Sequence, residues 1–253
     1  MISMKQYSAD EFQNALVIFT DGSSLGNPGP GGYGCVLVFS QLDEVIELGG
    51  NKVKTTNNEM ELSAAVAALS HAAFNTAPVH VFTDSSYVVN GITKWVHGWQ
   101  KNGWKTKTDG DVANKVLWQQ LASLVRDRGN VSTITWHYVP GHVGVIGNER
   151  CDEIATAFAS GKPVTLFRGK LSSYGRDILN FSIDETLKAE KSEKRARSNA
   201  TAYSYLSLVD GVAMRHSTWA ECEARVRGVK AKFKKALSAE DERAILAEWG
   251  ATL

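Results

Sequence analysis

Four acidic residues have the types and settings to do chemistry together: Asp21 in FTDGSS, Glu61 in TTNNEMEL, Asp84 in VFTDSS and Asp152 in GNERCDE. Asp21 and Asp84 each close an apolar run, which places them at strand ends. Glu61 and Asp152 fall in helical segments and project toward that same edge. Like charges packed within a few Å repel and raise one another's pKa unless cations neutralise them. Carboxylate oxygens are hard ligands that suit Mg²⁺ or Mn²⁺, so the constellation reads as a divalent-metal site. Any one of the four alone reads equally as an ordinary surface acid; the common setting of all four favours the metal.

The elements that must hold them follow from the pattern. Ala15 to Thr20 and Tyr33 to Phe39 are rich in Val, Ile, Leu and Phe, and GNPGPGG between them forces a turn, so two paired strands are expected. Glu44 to Leu48 extends the meander. Asn57 and Asn58 are N-cap candidates for a helix whose Leu62, Ala65, Val66 and Leu69 recur at helical spacing. Val79 to Phe82 is a short buried strand leading into Asp84 and another helix. Then come a helix over Asp111 to Arg126, a strand over Ser132 to Val139 and a helix over Gly147 to Ala159. Three strands in series, followed by alternating helices and strands, describe a mixed α/β sheet with helices against its faces.

After Ser160 the character changes. Residues 161–200 read as a connecting segment, apolar at first and then charged, in which Ser182 and Glu185 form a capping box for a polar helix over Ile183 to Arg197. Residues 201–253 read as a small module. YSYLSL alternates like a strand, Asp210-Gly211 makes a hairpin turn, and Val212 to Arg215 returns. Thr218 with Glu221 caps a helix ended by Gly228, Ala231 to Lys234 is a third strand, and Ser238 with Asp241 opens a last helix.

Composition narrows the class. Hydrophobic content of 43% with 22% charged residues suits a water-exposed globular fold, and no run of about 18 apolar residues suggests a membrane span. With no basic-then-apolar leader pattern, a cytoplasmic location is expected. Cys35, Cys151 and Cys222 are odd in number, far apart and without CxxC spacing, which argues against a disulfide framework or zinc site. The formal net charge of +1 argues weakly against a nucleic-acid partner. Its distribution argues the other way: Lys94, Lys101, Lys105 and Lys107 cluster among tryptophans, and a second basic set runs from Lys188 to Lys235.

FTDGSSLGNPGPGGYG, TTNNEMELSAAVAAL, VFTDSSYVVNGITKWVHGWQKNGWKT and WHYVPGHVGVIGNERCDEIA, in that order from Val17 to Ser160, resemble type I ribonuclease H. The resemblance implies a ribonuclease H-like mixed five-stranded sheet with flanking helices in a catalytic domain over 1–160. It also implies an endoribonuclease that cuts the RNA strand of RNA·DNA hybrids, leaving 5′-phosphate and 3′-hydroxyl ends. Two Mg²⁺ ions, with Mn²⁺ as a substitute, would activate the water, stabilise the leaving oxygen and shield the phosphate. No organic cofactor and no membrane partner are implied. By alignment Asp21 would bridge the ions, Glu61 and Asp84 would flank one, and Asp152 the other. His142, in VPGHVGV, would shuttle a proton or assist product release; many members carry a basic residue where Pro140 stands. A strand-transfer enzyme of the same fold is the rival reading, against which TTNNEMEL and the PGH loop argue. A non-catalytic binding protein is another, and retention of all four carboxylates argues against it.

For substrate, Gly22, Ser23, Asn57 and Asn58 lie beside the ligands, where amides can meet ribose hydroxyls, the feature that separates RNA from DNA. Lys54, Thr56 and Asn114 match the family's phosphate pocket for the DNA strand. Trp95, Lys101, Trp104, Lys105 and Lys107 match its basic protrusion, with Trp99 and Trp118 read as packing. The last fifth of the chain, with STWAECEARVRG and KAKFKKALSAEDE, resembles the hybrid-binding or viroplasmin-type domain as a ββαβα module. Trp219, Phe233, Lys234 and Lys235 match its binding pattern.

Overall fold

The computed structural model describes residues 4–140, 144–184 and 200–253, which fall into two units, Met1–Lys188 and Ala189–Leu253. In the first, strands β1 (Met4–Tyr7), β2 (Leu16–Ser24), β3 (Gly29–Phe39) and β4 (Glu44–Thr55) precede helix α1 (Asn57–His71). Strand β5 (Val79–Thr83) leads into α2 (Ser86–Asn90), a π-turn (Gly91–Trp95) and α3 (Val96–Lys101). Helix α4 (Lys115–Gly129), strand β6 (Ile134–Tyr138), helix α5 (Ile146–Ser160) and strands β7 (Arg168–Lys170) and β8 (Phe181–Asp184) complete it.

The central sheet has the order β6-β5-β2-β3-β4-β7, in which the β6-β5 and β5-β2 pairs are parallel and the β2-β3, β3-β4 and β4-β7 pairs antiparallel. It is mixed, as the pattern implied, but has six strands rather than five. The sixth, β7, is three residues long, too short to show any alternation, and it pairs with β4 through Glu44–Ile46.

Central β2 is buried on both faces, which is why Leu16 to Phe19 reads as an unbroken apolar run. Leu16, Ile18, Cys35 and Leu37 face α1 and α4. Val17, Phe19, Val36 and Val38 face Cys151 of α5. Each such side chain contributes about 1.5 to 3 kcal/mol by leaving water, so the two layers lock α1 and α5 onto opposite faces of one strand pair.

Two expected boundaries move. Strand β2 does not end at Asp21 but pairs with the glycine-rich start of β3 as far as Ser24, so Asp21 is a strand-interior residue. Helix α4 starts at Lys115, not Asp111, because the 102–113 loop folds back on itself and Asp111 bridges to Lys105.

The boundary expected at 160 lies inside the first unit. After Gly161 caps α5 at a φ of 65°, residues 162–184 return over the sheet and bury Tyr174, Ile178, Leu179, Phe181 and Ile183 in the core below α5. Strand β8 then pairs antiparallel with β1. Ile183 and Asp184 therefore belong to a strand and do not start a helix; the remainder of the expected Ile183 to Arg197 helix lies outside the described residues.

The second unit holds β9 (Ser204–Val209), β10 (Val212–His216), helix α6 (Trp219–Val226), β11 (Ala231–Ala236) and helix α7 (Ala239–Trp249), the ββαβα order expected. Its sheet order is β10-β9-β11, all antiparallel. Thr218 and Glu221 form the anticipated capping box. Leu206, Ala236 and Ile245 make a small core.

Candidate active site

Asp21 is placed by β2, Glu61 by α1 and Asp84 by the turn after β5. Gly22 makes the first approach possible: a Cβ there would sit 2.2 Å from the Glu61 amide nitrogen, so only glycine lets α1 press against β2 beside Asp21. The cap of α1 is Thr56, whose hydroxyl accepts from the Glu59 amide at 3.3 Å, rather than Asn57 or Asn58. Asn57 instead opens the helix and donates from its side chain to Glu61 Oε1 at 3.4 Å. At the end of β5, Thr83 Oγ1 accepts from the Ser85 amide and Ser85 Oγ from the Val88 amide, which fixes the turn that carries Asp84.

The result is a group of three carboxylates, Asp21, Glu61 and Asp84, each with an oxygen within 4.8 Å of the others'. Asp21 and Glu61 are buried, 6% and 5% exposed. Burial first, and then repulsion from Asp84, pushes the Asp21 carboxyl up to about 8, although the Gly22 amide donates to its Oδ1 at 2.7 Å. Burial, with Asp21 and Asp84 nearby, likewise holds Glu61 well above the carboxylate range. Glu61 Oε2 is buried and accepts no hydrogen bond among the described residues.

Asp152 is half-buried on α5 and stands outside this group, accepting from Thr156 Oγ1 at 3.4 Å. Its charge still contributes to the rise at Asp21, so it flanks the pocket. His142 lies outside the described residues. Next to it, Pro140 is buried and Gly144, at a φ of 69°, donates its amide to Glu149 Oε1 at 3.0 Å.

The expected substrate residues are distributed unevenly. The Gly22 amide is already taken by Asp21; Ser23 is half-buried, and Asn58 is exposed at the start of α1. Lys54 is exposed on β4, the Thr56 hydroxyl serves as the cap, and Asn114 adopts a left-handed φ of 58° with its side chain donating to Tyr87 Oη at 3.4 Å. Trp118 is buried, and from it a ladder of rings leads outward: Trp99 at 5.5 Å, then Trp95 at 5.7 Å, the last 37% exposed. Trp104 is half-buried against the core, Lys101 and Lys107 are exposed, and Lys105 pairs with Asp111 at 3.4 Å.

In the second unit Trp219 and Phe233 are exposed, 41% and 52%, with centroids 5.4 Å apart, and Tyr205 joins Trp219 at 5.8 Å. Strand alternation puts Lys234 on the opposite face from Phe233, where it pairs with Glu248 at 2.8 Å. Lys235 donates to the Ala200 carbonyl at 2.8 Å. Two residues that sequence reasoning missed are Tyr205, whose ring packs against Trp219 at the start of α6, and Tyr87, whose hydroxyl receives Asn114 and the Trp118 indole. Neither sits in a motif that marks a polar hub or a binding face.

Residues 13–160 match the RNase H family model. A ribonuclease H of Cyanothece sp. is 50% identical over 146 residues, covering 57% of this chain and 89% of that protein. One of Rhizobium meliloti is 51% identical over 138 residues, covering 54% and 86%. Among solved structures, LC9-RNase H1, described as a type 1 RNase H with the type 2 active-site motif, aligns with a TM-score of 0.54 at 29% identity over 66% of this chain and 83% of that one. The chain belongs to the RNase H family. That family is metal-dependent, and the pocket fits a cation: three hard oxygen donors converge, and the buried Glu61 Oε2 has no hydrogen-bond donor among the described residues.

Proposed function

We propose that this protein is an endonuclease that hydrolyses the RNA strand of RNA·DNA hybrids in the cytoplasm, using Mg²⁺ held by Asp21, Glu61, Asp84 and Asp152. The observation that carries this is the uncompensated acid pocket: two buried carboxyls with raised pKa values and an oxygen without a donor form a cluster that folding alone leaves unfavourable. Bound Mg²⁺ would supply charge neutralisation for the phosphate and an activated water, with Mn²⁺ as an alternative. Asp21 and Glu61 would release their protons to the ion, and the four carboxylates together would set its place. His142 would pass a proton, on the strength of its family motif.

Around the pocket, Gly22, Ser23, Asn57 and Asn58 would meet the RNA strand's 2′-hydroxyls. Lys54, Thr56 and Asn114 would take a DNA phosphate. Trp95, Lys101, Trp104, Lys105 and Lys107 would follow the duplex. The exposed Trp219 and Phe233 surface would hold hybrid a second time and raise avidity, with Lys235 on the same strand face and Lys234 turned away from it.

The test is to incubate labelled RNA·DNA, RNA·RNA and DNA·DNA duplexes with Mg²⁺ or chelator. Cleavage of the RNA strand in the hybrid alone, dependent on metal and ending in 3′-hydroxyl groups, is expected. Equal cutting of RNA·RNA, or activity in chelator, overturns the reading.

A further inference from the structure

The segment after α5, which lies beyond the family match ending at residue 160, is tied to the catalytic unit through an ion pair whose two members, Glu47 and Arg150, lie within that match. The Glu47 side chain on β4 is 1% exposed and accepts four hydrogen bonds. Arg150 gives two, from Nε and Nη2 at 2.8 Å each; Tyr174 Oη gives one at 2.6 Å and the Phe167 amide one at 2.9 Å. Arg150 is equally committed, with Nη2 also donating to the Thr165 carbonyl at 2.8 Å and Nη1 to Glu153 at 2.9 Å. Arg176 reaches the same Glu153 carboxylate at 3.2 Å. One carboxylate thus joins the sheet, α5 and the strap of residues 161–184.

The placement on α5 matters. Arg150 and Asp152 are two residues apart, about 200° around the helix, so one side is held by the sheet and strap while the other carries Asp152 toward the acid pocket. The helix has no room to slide inward: a Cβ at Gly34 would lie 2.3 Å from the Cys151 carbonyl, and one at Gly32 would lie 2.4 Å from that of Ala155. Rotation about the helix axis is the motion left, and the planar two-point grip of a guanidinium on a carboxylate resists rotation better than a single contact.

We infer that Glu47, Arg150 and Tyr174 are positioning residues, through which the strap fixes the rotation of α5 and hence the place of Asp152 beside Asp21 and Glu61. This rests on the proposed reading of the four carboxylates as the catalytic site. It gives residues 161–184 a part in the reaction, so the catalytic unit extends beyond its family-matched portion.

The test uses the full chain and the variants Glu47→Gln, Arg150→Lys and Tyr174→Phe. Ile178→Val serves as a comparison, since it loosens buried strap packing without touching the ion pair. Below the melting temperature, kcat and KM on hybrid and the midpoint of Mg²⁺ activation are measured, together with hydrogen exchange of residues 146–160 in metal-free protein. Displacing a group that orients a metal ligand costs roughly 10- to 100-fold in activity or metal affinity, so Arg150→Lys is expected to lose about tenfold in kcat with KM little changed. Its Mg²⁺ midpoint rises and α5 exchange quickens. Tyr174→Phe shows the same pattern at smaller size, and Ile178→Val lowers the melting temperature while leaving kcat and the Mg²⁺ midpoint unchanged. Folded Arg150→Lys and Tyr174→Phe proteins with wild-type kcat, Mg²⁺ midpoint and α5 exchange overturn the inference. So does an Ile178→Val protein that reproduces their losses. If Glu47→Gln fails to fold, the other two decide. A wild-type chain inactive on hybrid defeats the proposed function instead, and exchange in metal-free protein still reads the clamp.

Discussion

Glu47 and Glu61 are both buried glutamates of the same unit, 4% and 5% exposed, and they differ in what surrounds them. Burial alone would raise either. At Glu47, hydrogen bonds from Arg150, Tyr174 and the Phe167 amide outweigh it and hold the carboxyl below its usual range. At Glu61, Asp21 and Asp84 add to the burial, and among the described residues the one side-chain donor to it is Asn57 at 3.4 Å. A buried acid with its partners present is architecture. A buried acid left among other acids costs stability, and that cost is tolerable where a ligand removes it.

The largest expected effect is at the uncompensated end. Asp21→Asn should lower hybrid cleavage by on the order of 10³-fold or more, as expected when a central electrostatic group is lost, while the fold stays intact. Near-wild-type rates in Mg²⁺ would break the distinction between the two sets of acids. His142→Ala should lose roughly 10² to 10⁴-fold and keep residual activity, as for a proton-transfer residue rather than a ligand. Unchanged turnover refutes that role.

At the compensated end the readout is stability. Glu47→Gln leaves the half-buried Arg150 with only Glu153 as counter-charge and should cost about 3 kcal/mol in denaturant unfolding. Glu61→Gln should leave metal-free protein as stable as wild type or more so. A reversal of that order would show that the comparison is mistaken.

Their pH responses should also have opposite signs. Asp21 is raised from 3.8 to about 8 in the folded state, so the unfolded chain ionises first and metal-free protein loses stability as pH climbs through that window. Glu47 is lowered from 4.5, so its contribution is full above that value and is lost as pH falls through its folded value. Asp21→Asn should flatten the upper limb of a denaturation series across pH, and Glu47→Gln the lower. A wild-type protein that gains stability from pH 3.8 to 8 without metal would contradict the first assignment.

The smallest effect belongs to the second unit. Ending the chain at Asn199 spares every catalytic residue, so kcat should hold while hybrid affinity falls and the salt slope of binding becomes shallower. Equal affinity and slope would assign the exposed Trp219 and Phe233 surface to another partner.

The sequence displayed the carboxylates because each lies at a change of pattern: an apolar run ends at Asp21 and at Asp84, and a helix begins before Glu61 and Asp152. What stayed hidden depended on partners distant along the chain. Strand β7 has too few residues to alternate, and the strap's Tyr174 shows no spacing relation to Glu47, which is 127 residues away. Thr56 displaced Asn57 and Asn58 as the cap because three candidates in a row satisfy the same rule, and only backbone geometry chooses among them. Gly22 looked like a source of an amide; its missing Cβ, which admits α1, needed the packing to be seen. Lys234 looked like part of a binding stripe until alternation turned it toward Glu248.

The most direct measurement is the melting transition of the catalytic unit in full-length wild type and in Asp21→Asn, each with Mg²⁺ and with chelator. If the acids are held together for a cation, wild type melts higher with Mg²⁺, Asp21→Asn gains little from it, and in chelator the variant is at least as stable as wild type. A wild-type transition that is unmoved or lowered by saturating Mg²⁺ would contradict the account.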